Sequence, residues 1–124
     1  MPGVSDLKKD KEVQKKIKKE LRRLNNIFKD IEQGKKDTVR SLIENAAFMS
    51  VILDELQQHI AENGTVSEYQ NGANQWGTKI SPEAQIYNSM IKNHMAIVKQ
   101  LTDLLKDDDK DEDDDELMKF IHNR

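Results

Sequence analysis

The sequence contains no cysteine, and no stretch of it approaches the roughly 18 apolar residues that a membrane span needs. Disulfide bonds and thiolate zinc sites are therefore excluded, and the composition is compatible with a reducing, intracellular environment. Only one tryptophan, two tyrosines and three phenylalanines are present, which disfavours a β-sandwich or a barrel. The first residues become charged before any apolar stretch of secretory length. We therefore expect a soluble, cytosolic, helical protein without a membrane partner.

The chain is poor in apolar residues and rich in charged ones. Each class makes up 35% of the sequence, whereas charged residues make up roughly 25% of an average protein. A chain of 124 residues with this composition cannot bury a thick core of its own. It fits amphipathic helices that complete their burial against other copies of the chain.

Charge is distributed unevenly along the chain. The net charge is −3, but residues 107–116 hold nine acids and one lysine, a local charge of −8. The remainder of the chain therefore carries +5. Residues 8–23 hold nine bases and three acids, which is +6. One end of the chain is thus cationic and the other is anionic.

Apolar periodicity predicts an amino-terminal helix over residues 5–33, with Ser5 as its N-cap and Gly34 as its stop. Its apolar residues follow a near-heptad seam. A second helix is predicted from residue 37 or 38 to Asn63, and Gly64 ends it. Through residues 46–53 almost the whole circumference of this helix is apolar, so we expect burial on more than one side.

Residues 65–79 have the composition of a long loop, with Asn71-Gly72 and Trp76-Gly77. Ser81 is a predicted N-cap for a third helix, and a short terminal segment follows the acidic run. The resulting fold class is all-α: a long N-terminal helix plus a helical hairpin with an Asn/Gly-rich loop. We divide the chain into a basic N-terminal helix (1–35), a helical oligomerisation core (36–106) and an acidic linker with a C-terminal docking segment (107–124).

The sequence offers no arrangement typical of catalysis. It has no phosphate-binding glycine loop, and its three histidines occur singly, without the spacing of a zinc site. His94 falls within the apolar stripe of the third helix, where a hydrogen-bonded core or interface histidine is far more common than a ligand. We expect no enzyme activity, no metal and no cofactor.

The basic helix is a candidate nucleic-acid surface, because lysine and arginine side chains that neutralise phosphates release condensed counterions. The alternative is a merely solvated charged face. The acidic run is expected to stay extended through self-repulsion, as a tether that presents an apolar tip to a partner, or simply as a solvated linker. The predicted DNA-binding residues are Lys8, Lys11, Lys15, Lys16, Lys18, Lys19, Arg22 and Arg23, and the docking residues of the tip are Leu117, Met118, Phe120 and Ile121.

The segment from Glu44 to Leu105 resembles the central region of small terminase subunits from tailed phages of Gram-positive hosts. The most telling piece is YQNGANQWGTKISPEAQIYNSMIKNHMAIVKQL, with an Asn/Gly-rich loop that carries an aromatic, a lysine before a Ser-Pro helix start, and a helix with Tyr87, Met90 and Lys92. This resemblance covers about half of the chain.

The resemblance implies a homo-oligomer, expected to be a ring, that binds double-stranded viral DNA and regulates the large terminase subunit in the cytoplasm of the infected bacterial host. The alternative is a helical scaffold or regulatory interaction protein that never touches DNA; a scaffold would use the basic helix for ion pairs between chains. The predicted oligomer interface comprises Leu42, Ala46, Met49, Leu53, Leu56, Trp76, Met90, His94 and Leu101.

Overall fold

The computed structural model describes residues 4–122 with the exception of residue 71, and it describes side-chain surroundings over residues 10–107 with the same exception. Three helices dominate this part of the chain. They are α1 (Val4–Ile27), α2 (Lys36–Asn63) and α3 (Pro82–His122), and a short 3-10 turn (Gln33–Lys35) precedes α2. The prediction that the protein is mainly helical is confirmed for the described residues.

Both α1 and α3 pack against α2, and apolar side chains from all three helices meet in one core. The near-heptad seam of α1 supplies Leu21 and Leu24, and α2 supplies Val39 and Ile43. From α3, Leu101 completes the cluster. The remaining members of the cluster are Phe28, Ile31, Leu42, Ala46, Ile97, Leu104 and Leu105.

The first helix ends at Ile27, six residues before the predicted end at Gln33. A turn replaces the last helical turns, with the amide of Ile31 donating to the carbonyl of Phe28 at 3.2 Å. This turn buries both Phe28 and Ile31 in the core. Gly34, predicted as the stop, lies in the 3-10 turn instead. The prediction was wrong here because core packing took precedence over continued helix periodicity.

Residues 66–80 form a β-hairpin, so the prediction of a long loop was wrong. Strands β1 (Val66–Gln70) and β2 (Trp76–Ile80) pair antiparallel, with Val66 opposite Ile80 and Gln70 opposite Trp76. β-Branched and aromatic residues in both segments favour strands, and the intervening Asn71-Gly72 dipeptide is typical of a tight connection. These signals were present in the sequence but were outweighed by the abundance of loop-forming residues.

Two predicted helix boundaries are confirmed. Helix α2 ends at Asn63, and Gly64 follows with a φ of 78°, a left-handed conformation that glycine adopts without steric cost. At the start of α3, the Oγ of Ser81 accepts a hydrogen bond from the amide of Ala84 at 3.1 Å. This is the N-cap geometry that the Ser-Pro pair predicted.

The acidic run continues α3 instead of forming an extended linker. The helix runs without a break from Pro82 to His122. Between these residues the sequence contains no further proline and no glycine, so nothing stops propagation, which adds one backbone hydrogen bond for each added residue. The predictions of an extended acidic tether and of a separate terminal segment were wrong for the backbone. The side chains of the predicted docking residues, Leu117, Met118, Phe120 and Ile121, lie outside the described residues.

Candidate nucleic-acid interface

Helix α1 has an inner face that packs on α2 and an outer face that is cationic. Val13, Ile17, Leu21 and Leu24 are partly buried on the inner face. At 3.6 residues per turn, the opposite side of the helix is occupied by cations whose side chains are all exposed. These outer cations are Lys11, Lys15, Lys18, Lys19 and Arg22.

One acid of α1, Glu20, lies away from this outer face. Glu20 is half-buried beside the inner seam, and both of its carboxylate oxygens accept hydrogen bonds from the guanidinium of Arg23. These hydrogen bonds lower the pKa of Glu20 and raise the pKa of Arg23. Arg23, predicted to bind DNA, is therefore already engaged on the side of α1 that faces α3.

Lys16 is also engaged within the chain. Its Nζ donates to Oε1 of Glu55 on α2 at 2.8 Å, and this hydrogen bond raises the pKa of Lys16. The pair joins α1 to α2 at the end of the bundle remote from Phe28. Of the predicted DNA-binding residues, Lys16 and Arg23 are thus used in intrachain ion pairs. The five outer cations form no ion pair with any acid among residues 10–107.

Two further lysines, Lys8 and Lys29, lie in the same part of the sequence. Lys8 lies outside the residues whose side chains are described. Lys29 was not predicted, but its side chain is exposed in the turn after α1. The signal for it was available, because Lys29 follows Lys18 by eleven residues and Arg22 by seven, spacings that return to the same side of a helix. Lys29 lies beyond the end of α1 at Ile27, so it adds an exposed cation next to the helix.

An open groove runs along α2 between α1 and α3. It comprises two adjoining cavities of about 640 Å³ and about 250 Å³, which share Glu20, Arg23, Ser50 and His94. Val51 and Leu53 form part of its floor. His94, placed by the sequence in an apolar stripe, is half-buried in the wall of this groove. The groove thus combines an apolar floor with charged groups on the α1 side.

The structure separates the predicted interface residues into three groups. Ala46, Leu53 and Leu101 are buried within a single chain, where the packing of α1 and α3 on α2 covers them. Trp76 is 67% exposed at the tip of the hairpin. The half-buried residues, which keep some surface for a partner, are Leu42, Met49, Leu56, Met90 and His94.

The β-hairpin presents an exposed apolar face. The strand register places Val66, Ile80 and Trp76 on the same side of the two-stranded sheet, and all three are exposed. On the other side, the ring of Tyr69 covers Gly77, and the Nζ of Lys79 lies 5.7 Å from the centre of that ring. The hairpin therefore carries one open apolar face and one face closed by its own side chains.

Among the described residues, no three His, Asp and Glu side chains are clustered so that they could hold a metal ion. None of the helices is long and apolar enough, within the described part of the chain, to span a bilayer. The Nε2 of His59 on α2 lies 3.6 Å from the Oε1 of Glu83 on α3.

Comparison with known proteins adds no assignment to this geometry. The chain matches no protein-family model, no curated protein and no solved structure.

Proposed function

We propose that this chain is a DNA-packaging adaptor of the small terminase subunit type. It binds double-stranded viral DNA through the outer face of α1, associates with further copies of itself, and engages the large terminase subunit through the carboxyl-terminal part of α3. The resemblance of residues 44–105 to small terminase subunits supports this proposal.

The observation that carries DNA binding is the exposed cationic face of α1, which forms no ion pair with any acid among residues 10–107. Lys11, Lys15, Lys18 and Arg22 are exposed along one side of the helix, and Lys29 extends the series. From residue 11 to residue 22 the backbone rises by about 17 Å, at 1.5 Å per residue. Duplex DNA carries one negative charge per roughly 1.7 Å of its axis, so every cation in this series has phosphates within reach.

Such a surface binds the phosphate backbone and is indifferent to base sequence. Affinity then depends steeply on salt, because each neutralised phosphate releases counterions. Lys16 and Arg23 contribute to the positive field around α1, but their side chains are held by Glu55 and Glu20. The outer cations make the direct phosphate contacts.

The carboxyl-terminal part of α3 supplies the contact with the large subunit. The helix continues to His122 from Leu105, which among residues 10–107 is the last to pack against the core cluster. This extension rises by about 25 Å and carries the acidic run followed by an apolar sequence. An amphipathic helix of this kind docks in an apolar groove of a partner.

A helical scaffold that never binds DNA is the second candidate. The observation in its favour is that two cations of α1 form ion pairs within the chain, Lys16 with Glu55 and Arg23 with Glu20. In a scaffold, the five outer cations would form equivalent pairs with acids of another copy.

Two triple variants separate these functions. In the first, Lys15→Gln, Lys18→Gln and Arg22→Gln remove three outer cations of α1. In the control, Lys92→Gln, Lys99→Gln and Lys106→Gln remove three exposed lysines of α3, so the net charge changes equally. We expect the α1 variant to lose at least tenfold in affinity for duplex DNA, which corresponds to about 1.4 kcal/mol.

The salt dependence provides the second readout. Loss of three phosphate contacts reduces the slope of log affinity against log salt by about 3 for the α1 variant. The control variant keeps the slope of the unmodified protein. Equal losses in both variants would show that only net charge matters and would contradict the assignment to α1. Absence of DNA binding by the unmodified protein, together with loss of self-association in the α1 variant, would favour the scaffold.

A further inference from the structure

Two apolar surfaces lie on opposite sides of α2. One is the groove between α1 and α3, whose floor includes Ser50. The other is centred on Phe48, whose side chain is 48% exposed. Two residues along a helix turn the side-chain direction by about 200°, so Phe48 points away from the groove floor at Ser50. One side of the subunit is therefore concave and the opposite side is convex.

The convex surface is an apolar ridge. Phe48, Ile52 and Leu56 follow one another at intervals of four residues and so lie along one side of α2. Ile52 and Leu56 are half-buried, and Phe48 stands furthest into solvent. A half-exposed phenylalanine at the centre of a helix is unfavourable in water, because a buried aromatic side chain removes roughly 150–250 Å² from solvent.

The groove has the size and lining to receive this ridge. Its larger cavity of about 640 Å³ exceeds the volume of any single side chain, and its floor and α3 wall include Val51 and Ile91. In the adjoining part, Val98 is exposed on the α3 wall. An apolar ridge entering here would cover side chains that the single chain leaves open to water.

Charges on the two surfaces are complementary. The lining of the larger cavity carries three cations, Lys16, Lys19 and Arg23, and two acids, Glu20 and Asp54, which leaves a surplus of one positive charge. On the convex side, Glu44 is exposed one helical turn before Phe48. A second copy that placed Phe48 over the groove would bring its Glu44 toward this net positive lining. Opposite charges steer the approach and set the orientation of the docked surface.

We propose that the ridge of Phe48, Ile52 and Leu56 in one copy of this chain docks in the α1–α3 groove of a second copy. This inference deepens the proposed function by assigning the surfaces through which copies associate. The two surfaces differ and lie on opposite sides of one subunit, so the contact is heterologous. Two docked copies retain one free groove and one free ridge. Further copies can dock at either of these, which generates a ring or an open chain.

The ridge is tested with Phe48→Asp, and Ile86→Asp is the matched control. Ile86 is 49% exposed, almost the same as Phe48, but lies on α3 outside the groove. We expect Phe48→Asp to reduce the mass measured by light scattering to that of a single chain, 14.4 kDa, while Ile86→Asp keeps the mass of the unmodified assembly. An assembled Phe48→Asp variant, or an unmodified protein of single-chain mass, would overturn the proposal.

Mixing two variants tests the heterologous geometry. Val98→Arg places a long charged side chain in the groove and leaves the ridge intact, so this variant alone is also expected to be a single chain. An equimolar mixture of Val98→Arg and Phe48→Asp retains one intact ridge and one intact groove. We expect the mixture to form a species of twice the single-chain mass that grows no further. A mixture that stays at single-chain mass would overturn the proposal, since ridge and groove would then not be partners.

The DNA-binding assignment is tested separately on the same variants. Neither Phe48 nor Val98 lies on the outer face of α1, so each single-chain variant retains salt-dependent binding to duplex DNA if the proposed function is correct. Loss of self-association with DNA binding retained supports both proposals. Failure of the unmodified protein to bind DNA refutes the proposed function. It does not change what the light-scattering masses show about docking between copies. Circular dichroism of each variant confirms that the helices are formed.

Discussion

In the three-helix core, Phe28, Ile43 and Leu101 lose nearly all contact with water, whereas in the β-hairpin Val66 and Trp76 retain more than half of their exposed area. The core unites side chains from elements far apart in the sequence. The hairpin pairs only with itself, and an isolated two-stranded sheet is marginally stable in water. Apolar content alone therefore does not identify the core. A residue belongs to the core where several elements of the fold pack over it.

The hairpin is held where it joins α3. The amide of Ser81 donates to the carbonyl of Thr65 at 2.8 Å, and the Oγ of the same serine caps α3. Ser81 is buried, although its neighbours in the strands are exposed. A single residue thus links the weakly covered hairpin to the helical bundle.

The largest effect is expected from truncation in the core. Ile43 is 2% exposed, and Ile43→Ala removes three buried carbon atoms and leaves a cavity, which costs about 2–5 kcal/mol. Ile27→Ala is the control, because Ile27 is 46% exposed and its truncation costs less than about 0.5 kcal/mol. Urea denaturation followed by circular dichroism measures both. Equal losses would contradict the location of the core.

An intermediate effect is expected at the junction. Ser81→Ala keeps the main-chain hydrogen bond to Thr65 but leaves the amide of Ala84 without its cap, at a cost of about 1 kcal/mol. Ser89→Ala, on the exposed side of α3, removes a hydroxyl without removing a cap. The difference in the free energy of unfolding between the two variants measures the cap. A difference near zero would show that Ser81 does not stabilise the start of α3.

The smallest effect is expected in the hairpin. Trp76→Ala removes the largest side chain of the protein from a position where it is mostly in water, so we expect the unfolding free energy to change by less than about 0.5 kcal/mol. The measurement is made on dilute protein, by circular dichroism. A loss comparable to that of Ile43→Ala would mean that the hairpin is covered in solution, and the contrast with the core would then disappear.

Local signals predicted the parts of the fold that depend on neighbouring residues. Gly64 and Ser81 could be placed because a positive φ and an N-cap are properties of one residue and the helix turn beside it. The seam of α1 was predictable from its spacing for the same reason. The outer cations followed from the seam, since the side opposite an apolar stripe faces water.

Other features depended on partners distant in the sequence. Residues 66–70 and 76–80 become strands only when they pair with each other, and as single segments they resemble a loop. Lys16 and Arg22 look alike in the sequence, yet Glu55 of α2 engages Lys16 and leaves Arg22 open to solvent. Leu53, assigned to an interface from the sequence, is buried within one chain by the packing of α1 and α3 on α2.

By itself, the sequence determined that this protein is mainly helical, that its first helix has an apolar and a cationic side, and where two of its helices begin or end. Periodicity and capping act within a few residues, so they can be read without a fold. The tertiary structure alone decided which apolar residues are core and which remain as a ridge, because burial depends on which helices meet. It also decided which cations are free to meet a phosphate, because an ion pair requires an acid from another element to lie within reach.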